Sequence, residues 1–208
     1  MKIPISILGT LDYCEYKIYF KEWLKKQKKK IKVPIPKKMI EGAKKHAELN
    51  KEYVPVDTDE IMKKRELSVT GKKIRGRVDE IIKENNTILI IDDKPHDTAY
   101  NGDIWQVMAY CKAYKEQHQD ELDDDIELYG AIRNWNTEKI VWKEKYTEEY
   151  EKLIEDKVDR VIGIIEETIT PISTDNPFKC SKCNLKKTCD KSLYQEFDAR
   201  KFIGEKTK

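Results

Sequence analysis

Residues 74–95, IRGRVDEIIKENNTILIIDDKP, read as a hairpin of two strands joined by a polar turn at KENNT. The apolar run from Ile88 to Ile91 belongs in a core, yet it leads directly into Asp92, Asp93 and Lys94, with Asp79 on the preceding strand. Side chains alternate along a strand, so Asp92 and Lys94 share one face and Asp93 points the other way. Asp79 is expected to end the partner strand, opposite Asp92. Burying two carboxylates together is costly because like charges repel strongly at low dielectric, and a divalent cation removes that cost. Hard oxygen ligands suit Mg²⁺ or Mn²⁺. An ammonium beside them can orient or help deprotonate a water and offset charge on a phosphate. An isolated D-x-K is common, however, and alone reads as a solvated hairpin end with a surface ion pair.

The rest of the chain supplies helices around this hairpin. Ile7, Leu11, Cys14 and Ile18 fall at helical spacing, which predicts one amphipathic helix from Ser6 with Cys14 on its inner face. Pro34 and Pro36 must end it. A second helix is predicted from about Lys37, with Met39, Ile40, Ala43 and Ala47 inward and His46 beside that stripe. After two or three strands over residues 66–94, the spacing of Ile104, Val107, Met108, Cys111 and Tyr114 predicts another helix. Gln106 and Tyr110, four apart, are neighbours on its surface and flank the apolar stripe. DELDDD reads as an acidic loop, IELYGAIRNW and EKIVWKEKY as a second hairpin, and Tyr150, Leu153, Ile154, Val158, Val161 and Ile165 as the stripe of a long helix from Thr147. The expected class is α/β with a mixed sheet flanked by helices. A single domain is expected: a helical part with Cys14 over 1–60, a core over 61–170 and a cysteine-rich tail over 171–208.

At 208 residues the chain can bury a substantial core. Charged residues make up 38% of it, but the net charge is only +2, so any nucleic-acid contact must come from local patches. The lysine-dense stretch from Lys21 to Lys38, with Trp23, could be one such patch, although a solvated helix face is the commoner explanation of such a run. No run approaches a membrane span, and Asp12 and Glu15 come too early for a signal peptide's apolar core. A soluble, cytoplasmic protein is expected, in which five cysteines point to metal or redox chemistry before disulfides.

Cys180, Cys183 and Cys189 form a C-x2-C-x5-C run in a tail with too little apolar content to fold without help. Spacing alone leaves zinc and iron–sulfur equally open, with Cys14 and Cys111 as candidates for a fourth ligand. Cys111 sits in an apolar stripe beside Met108 and reads as a small core residue.

Taken together, GRVD (Gly76 to Asp79), DDK (Asp92 to Lys94), QVMAY (Gln106 to Tyr110) and the upstream His46 resemble the PD-(D/E)xK nuclease superfamily in its RecB-like branch. The resemblance implies a restriction-endonuclease-like fold and a metal-dependent DNA nuclease. His46, Asp79, Asp92 and the backbone carbonyl of Asp93 would hold Mn²⁺ or Mg²⁺, Lys94 would position or activate water, and Gln106 and Tyr110 would contact the substrate or orient the site. ISILGTLDYCEYKIYF, with the three late cysteines, is similar to the fourth CRISPR-associated (Cas) protein family. That likeness implies a [4Fe–4S] cluster on Cys14, Cys180, Cys183 and Cys189, closing the tail against the N-terminal helix. It also implies an exonuclease on single-stranded DNA ends or overhangs that trims fragments for spacer acquisition, with the CRISPR integrase complex as partner. A crosslink of such span is worth roughly 5 kcal/mol against the unfolded chain. Glu15 stands where that family often has proline, and Asp93 is an unusually acidic middle residue. The competing readings are a RecB-like repair nuclease partnered by a helicase and a catalytically inactive iron–sulfur or zinc DNA-binding module.

Overall fold

The computed structural model describes residues 1–27, 35–58, 60–123 and 125–194. The hairpin expected from the sequence is present: β4 (Ile74–Glu84) and β5 (Thr87–Lys94) pair antiparallel from Glu84↔Thr87 to Glu80↔Ile91. Asn85 turns the chain at φ 48, a conformation that asparagine tolerates. β5 lies between β4 and the parallel strand β6 (Glu127–Asn134), and its apolar run is almost wholly buried. A parallel neighbour requires a crossover, and α4 (Asn101–Gln117) supplies it. The sheet runs β2 (Val56–Asp57), β3 (Ile61–Thr70), β4, β5, β6, β7 (Ile140–Lys145), and β1 (Ile3–Pro4) adds a seventh strand parallel to β4. The mixed α/β class is as expected, although the N-terminal part contributes strands as well as helices.

Helix α4 is the centre of the molecule. Residues 107–114 are all buried, between the sheet on one side and α1 (Leu8–Tyr13) and α5 (Glu148–Ile165) on the other. The expected single apolar stripe is therefore too narrow a description: a helix covered on all sides is buried all round. Tyr110 lies within the core rather than at its edge. Val107 and Met108 pack with Val158 and Val161 of α5 in one cluster. Thr147 caps α5 by accepting the Tyr150 N–H.

Two helices depart from expectation. The helix predicted from Ser6 is broken at Cys14, which is extended (φ −172, ψ 112), and α2 (Glu15–Lys26) starts anew. Glu15 explains the restart. Its carboxylate lies in the first turn of α2, accepts both Arg160 Nε and Nη2 (2.6 and 2.7 Å) and the Ile172 N–H (2.9 Å), and so ties the new helix to α5 and to the start of the tail. In α3 (Lys37–Glu52) the predicted inward face is not covered: Met39 is 65% exposed, Ile40 47%, and Ala43 and Ala47 are exposed as well. The spacing shows only that one face is apolar; the helix instead rests Gly42 and His46 on Trp135. The tail is not all loop, since α6 (Pro177–Lys182), capped by Asn176, carries Cys180. Residues 28–34 of the lysine-dense stretch lie outside the described residues. No described helix is long and apolar enough to cross a membrane.

Candidate active site

The site lies where β4 changes partners. From Glu80 onward β4 pairs with β5, but Ile74 and Arg75 pair with β1. Asp79 sits at this fork, in the middle of β4 rather than at its end. The strands stay linked there by one bond, the Asp93 N–H to Asp79 Oδ2 at 2.7 Å. On the other side of β4, the β3 pairing is interrupted at Glu66, whose φ of 55 turns its carboxylate toward the fork. Splayed strands give side chains a space that a continuous ladder would close.

Asp92 faces α4. Lys94 Nζ lies 2.7 Å from Asp92 Oδ2 and 3.6 Å from Asp103 Oδ1, and donates to Gln106 Oε1 at 3.3 Å. Gln106 Nε2 donates to Asp92 Oδ1 (3.4 Å) and to the Tyr110 hydroxyl (3.1 Å). The four-residue spacing of Gln106 and Tyr110 thus places them side by side against Asp92 and Lys94. Gly76 completes the arrangement. A Cβ there would stand 2.6 Å from Tyr110 Cε1 and 3.3 Å from the Ile5 side chain. Gly76→Ala is expected to cost about 1–3 kcal/mol through overpacking, read as a lower melting temperature, and to push the Tyr110 ring off Gln106.

Asp93 turns to the opposite face, as strand alternation requires. Its side chain is fully buried, and both oxygens are held by guanidinium groups: Arg133 at 2.7 and 3.0 Å and Arg65 at 2.8 Å. Arg133 Nη1 also reaches Glu80 at 2.6 Å. Burial opposes ionisation of Asp93, but the Arg133 and Arg65 bonds outweigh it and hold its carboxyl below the usual range. The extra acid in DDK is therefore matched by two cations. Sequence reasoning missed Arg65, Glu80 and Arg133, as well as Glu66 and Asp103. Finding Arg133 would have required the β5–β6 register, in which it lies opposite Asp93.

Burial and the neighbouring Asp92 raise Asp79 to about 8, despite the Asp93 N–H. Asp92 is also pushed up, by burial first, although Lys94 opposes the shift. Burial alone would lower Lys94, but Asp92, Asp103 and Asp79 reverse this and hold it firmly protonated. His46 is pushed down, chiefly by burial, so its imidazole is neutral. Its Nδ1 is buried without a hydrogen-bond partner, 3.5 Å from Asp79 Oδ1 and 3.9 Å from Glu66 Oε1. His46, Asp79 and Asp93 each offer one side-chain ligand atom within 4.8 Å of the others; the expected ligand Asp92 is not in that group, and Asp93 enters it by its carboxylate rather than its carbonyl. A neutral imidazole nitrogen without a partner, 3.5 Å from an Asp79 carboxyl that resists ionising, belongs to a donor set that fits a divalent cation.

Cys14, Cys180, Cys183 and Cys189 line one small cavity between the start of α2 and the tail. Cys14, Cys183 and Cys189 pack against Tyr16, Phe20, Leu24 and Leu185, and the Leu185 N–H points at Cys183 Sγ at 3.4 Å. Cys111 is elsewhere, fully buried in the main core.

Among solved structures, one solved as SSO0001 is 13% identical to this chain, with a TM-score of 0.48, covering 93% of this chain and 88% of its own. Another, from Eubacterium rectale and named as a candidate exonuclease, is 14% identical with a TM-score of 0.37, covering 68% of this chain and 57% of its own. No curated protein matches the chain. A family model does match, over residues 12–190, which contain the fork, Gln106, Tyr110 and all five cysteines. On that match the chain belongs to the PD-(D/E)XK nuclease superfamily.

Proposed function

We propose that this protein is a DNA exonuclease acting on single-stranded ends, of the fourth CRISPR-associated (Cas) family, trimming fragments for spacer acquisition beside the integrase complex. The observation that carries the catalytic part is the meeting of His46, Asp79, Asp92, Lys94, Gln106 and Tyr110 at one fork in the sheet. The superfamily uses divalent metals, and here His46, Asp79, Asp92 and the Asp93 carbonyl would hold Mn²⁺ or Mg²⁺. When bound, the metal supplies Lewis-acid activation of a phosphate and of a water. Lys94 acts as a cation that orients the attacking water and offsets the charge growing on phosphate. Gln106 keeps Lys94 and Asp92 in register, and Tyr110 fixes Gln106. Arg133 and Arg65 already hold both oxygens of the Asp93 carboxylate, so its backbone carbonyl is the proposed ligand.

The four cysteines are proposed to hold a [4Fe–4S] cluster. All four line one cavity, which supports a shared metal centre; the choice of iron–sulfur over zinc rests on the family resemblance. The proposed role is structural: the cluster closes the tail onto α2.

Incubating anaerobically purified protein with single-stranded DNA labelled separately at each end tests the reading. Ladders with Mn²⁺ that vanish with EDTA are expected, together with iron and sulfide near four of each per chain, as the cluster's formula requires. Absence of cleavage at any metal concentration would sink the catalytic reading; zinc without iron would sink the cluster.

A further inference from the structure

Beside the fork lies an open cleft of about 830 Å³ whose lining includes Gln106, Asp103, Tyr100 and Lys179, the neighbour of Cys180. We propose that it holds the unpaired nucleotides of a single DNA strand adjoining the scissile phosphate, with Tyr100 as the stacking surface for a base and Lys179 as a phosphate contact. The inference rests on the nuclease reading and extends it to the path of the substrate.

Tyr100 immediately precedes α4, the helix that delivers Gln106, and is 59% exposed. Its ring is set edge-on against His96 at 4.9 Å, which fixes its direction without covering it. An exposed aromatic ring of fixed orientation beside a nuclease centre suits base stacking, which tolerates any sequence because every base has a π face. A duplex keeps those faces stacked on one another and offers none to Tyr100, so the cleft fits a single strand. The floor leads directly to the chemistry: Asp103 lies 3.5 Å from His96 and 3.6 Å from Lys94.

Charge in the far wall is unevenly committed. Asp12 is balanced by Lys157 at 3.1 Å and by the indole N–H of Trp105, and Lys157 covers the Trp105 ring at 4.5 Å. Those groups form a wall whose charge is spent. Lys179 differs. Its ammonium donates to the Asp12 carbonyl at 3.1 Å and lies 5.9 Å from the Tyr13 ring centroid, and among the described residues it pairs with no carboxylate. A cation that points into the cleft and has no matching anion is what a phosphate needs. Lys179 adjoins Cys180 in α6, so this contact would be positioned by the cysteine-bearing tail.

The test is fluorescence anisotropy with the intact, anaerobically purified protein in EDTA, using labelled oligo-dT, a blunt hairpin duplex and oligo-rU. Tyr100→Ala is expected to weaken oligo-dT binding about tenfold, with duplex binding unchanged and Tyr100→Phe restoring the wild-type value. Lys179→Gln is expected to reduce the slope of log K against log salt by about 0.7 for the single strand. Unchanged oligo-dT binding in Tyr100→Ala, an unchanged slope in Lys179→Gln, equal losses for strand and duplex, or oligo-rU held as tightly as oligo-dT would each overturn the proposal. Binding is read without metal, so failure of the catalytic reading is distinguishable. A protein whose variants behave as expected but which cleaves nothing leaves the cleft assignment standing. One that cleaves DNA while both variants bind normally removes only the cleft.

Discussion

Lys94→Ala is expected to lower metal-dependent cleavage by about 10²- to 10⁴-fold, the range for losing a group that positions a proton or stabilises a charged transition state, while Mn²⁺ binding stays within a few-fold of wild type. The two readouts separate because Lys94 is not placed among the metal donors. It touches Asp92 Oδ2 at 2.7 Å and Gln106 Oε1 at 3.3 Å, and its charge is locked on by Asp92, Asp103 and Asp79. Lys94→Arg keeps the charge but replaces a compact ammonium with a planar fork, so it is expected to hold the fold and still lose most activity. Single-turnover cleavage beside calorimetric Mn²⁺ titration checks both variants. If Lys94→Ala lost metal binding as completely as activity, Lys94 would be a structural element of the metal site and not a participant in the chemistry.

Arg133→Leu is expected to cost about 3 kcal/mol of stability in a urea melt at neutral pH, because removing one partner of a buried ion pair strands the other. Asp93 is then left with Arg65 alone, and Glu80 loses its closest cation. Adding Asp93→Asn to Arg133→Leu is expected to recover part of the loss. The pH dependence follows from the direction in which Asp93 is shifted. Its folded pKa is depressed, so the stability it contributes is fully present above the ordinary Asp value of about 4 and is lost as the pH falls through the folded pKa. The gap between Arg133→Leu and wild type should therefore narrow as the medium is acidified below about pH 4. A constant gap across that range would mean that Arg133 stabilises through packing alone.

What the sequence disclosed and what it concealed divide along a physical line. The hairpin, the α4 crossover and the α5 stripe rest on local periodicity, and each element lies close to where its spacing put it. Gln106, Tyr110, Asp92 and Lys94 were also legible, since strand alternation and a four-residue helical step fix their directions once the elements exist. Arg133 was not, because its meeting with Asp93 depends on a parallel register set across an intervening helix and acidic loop. The uncovered face of α3 was not legible either: a pattern tells which residues share a side, never whether anything lies against it. At Cys14 the apolar spacing continues through a break that Glu15, Arg160 and Ile172 create from three distant parts of the chain.

The exchange of partners along β4 has a consequence for the order in which the site can form during synthesis. The proposed catalytic acids belong to one local hairpin, able to pair as soon as its turn has left the ribosome. The strand that occupies the place β5 vacates is Ile3–Pro4, made long before Ile74 exists to receive it. Contacts between residues so far apart in sequence are slow to close. The thiols near Cys14 must wait longer still, until Cys189 is complete. The nascent chain thus holds its acids before it holds the frame around them, and the frame before the cysteine cavity.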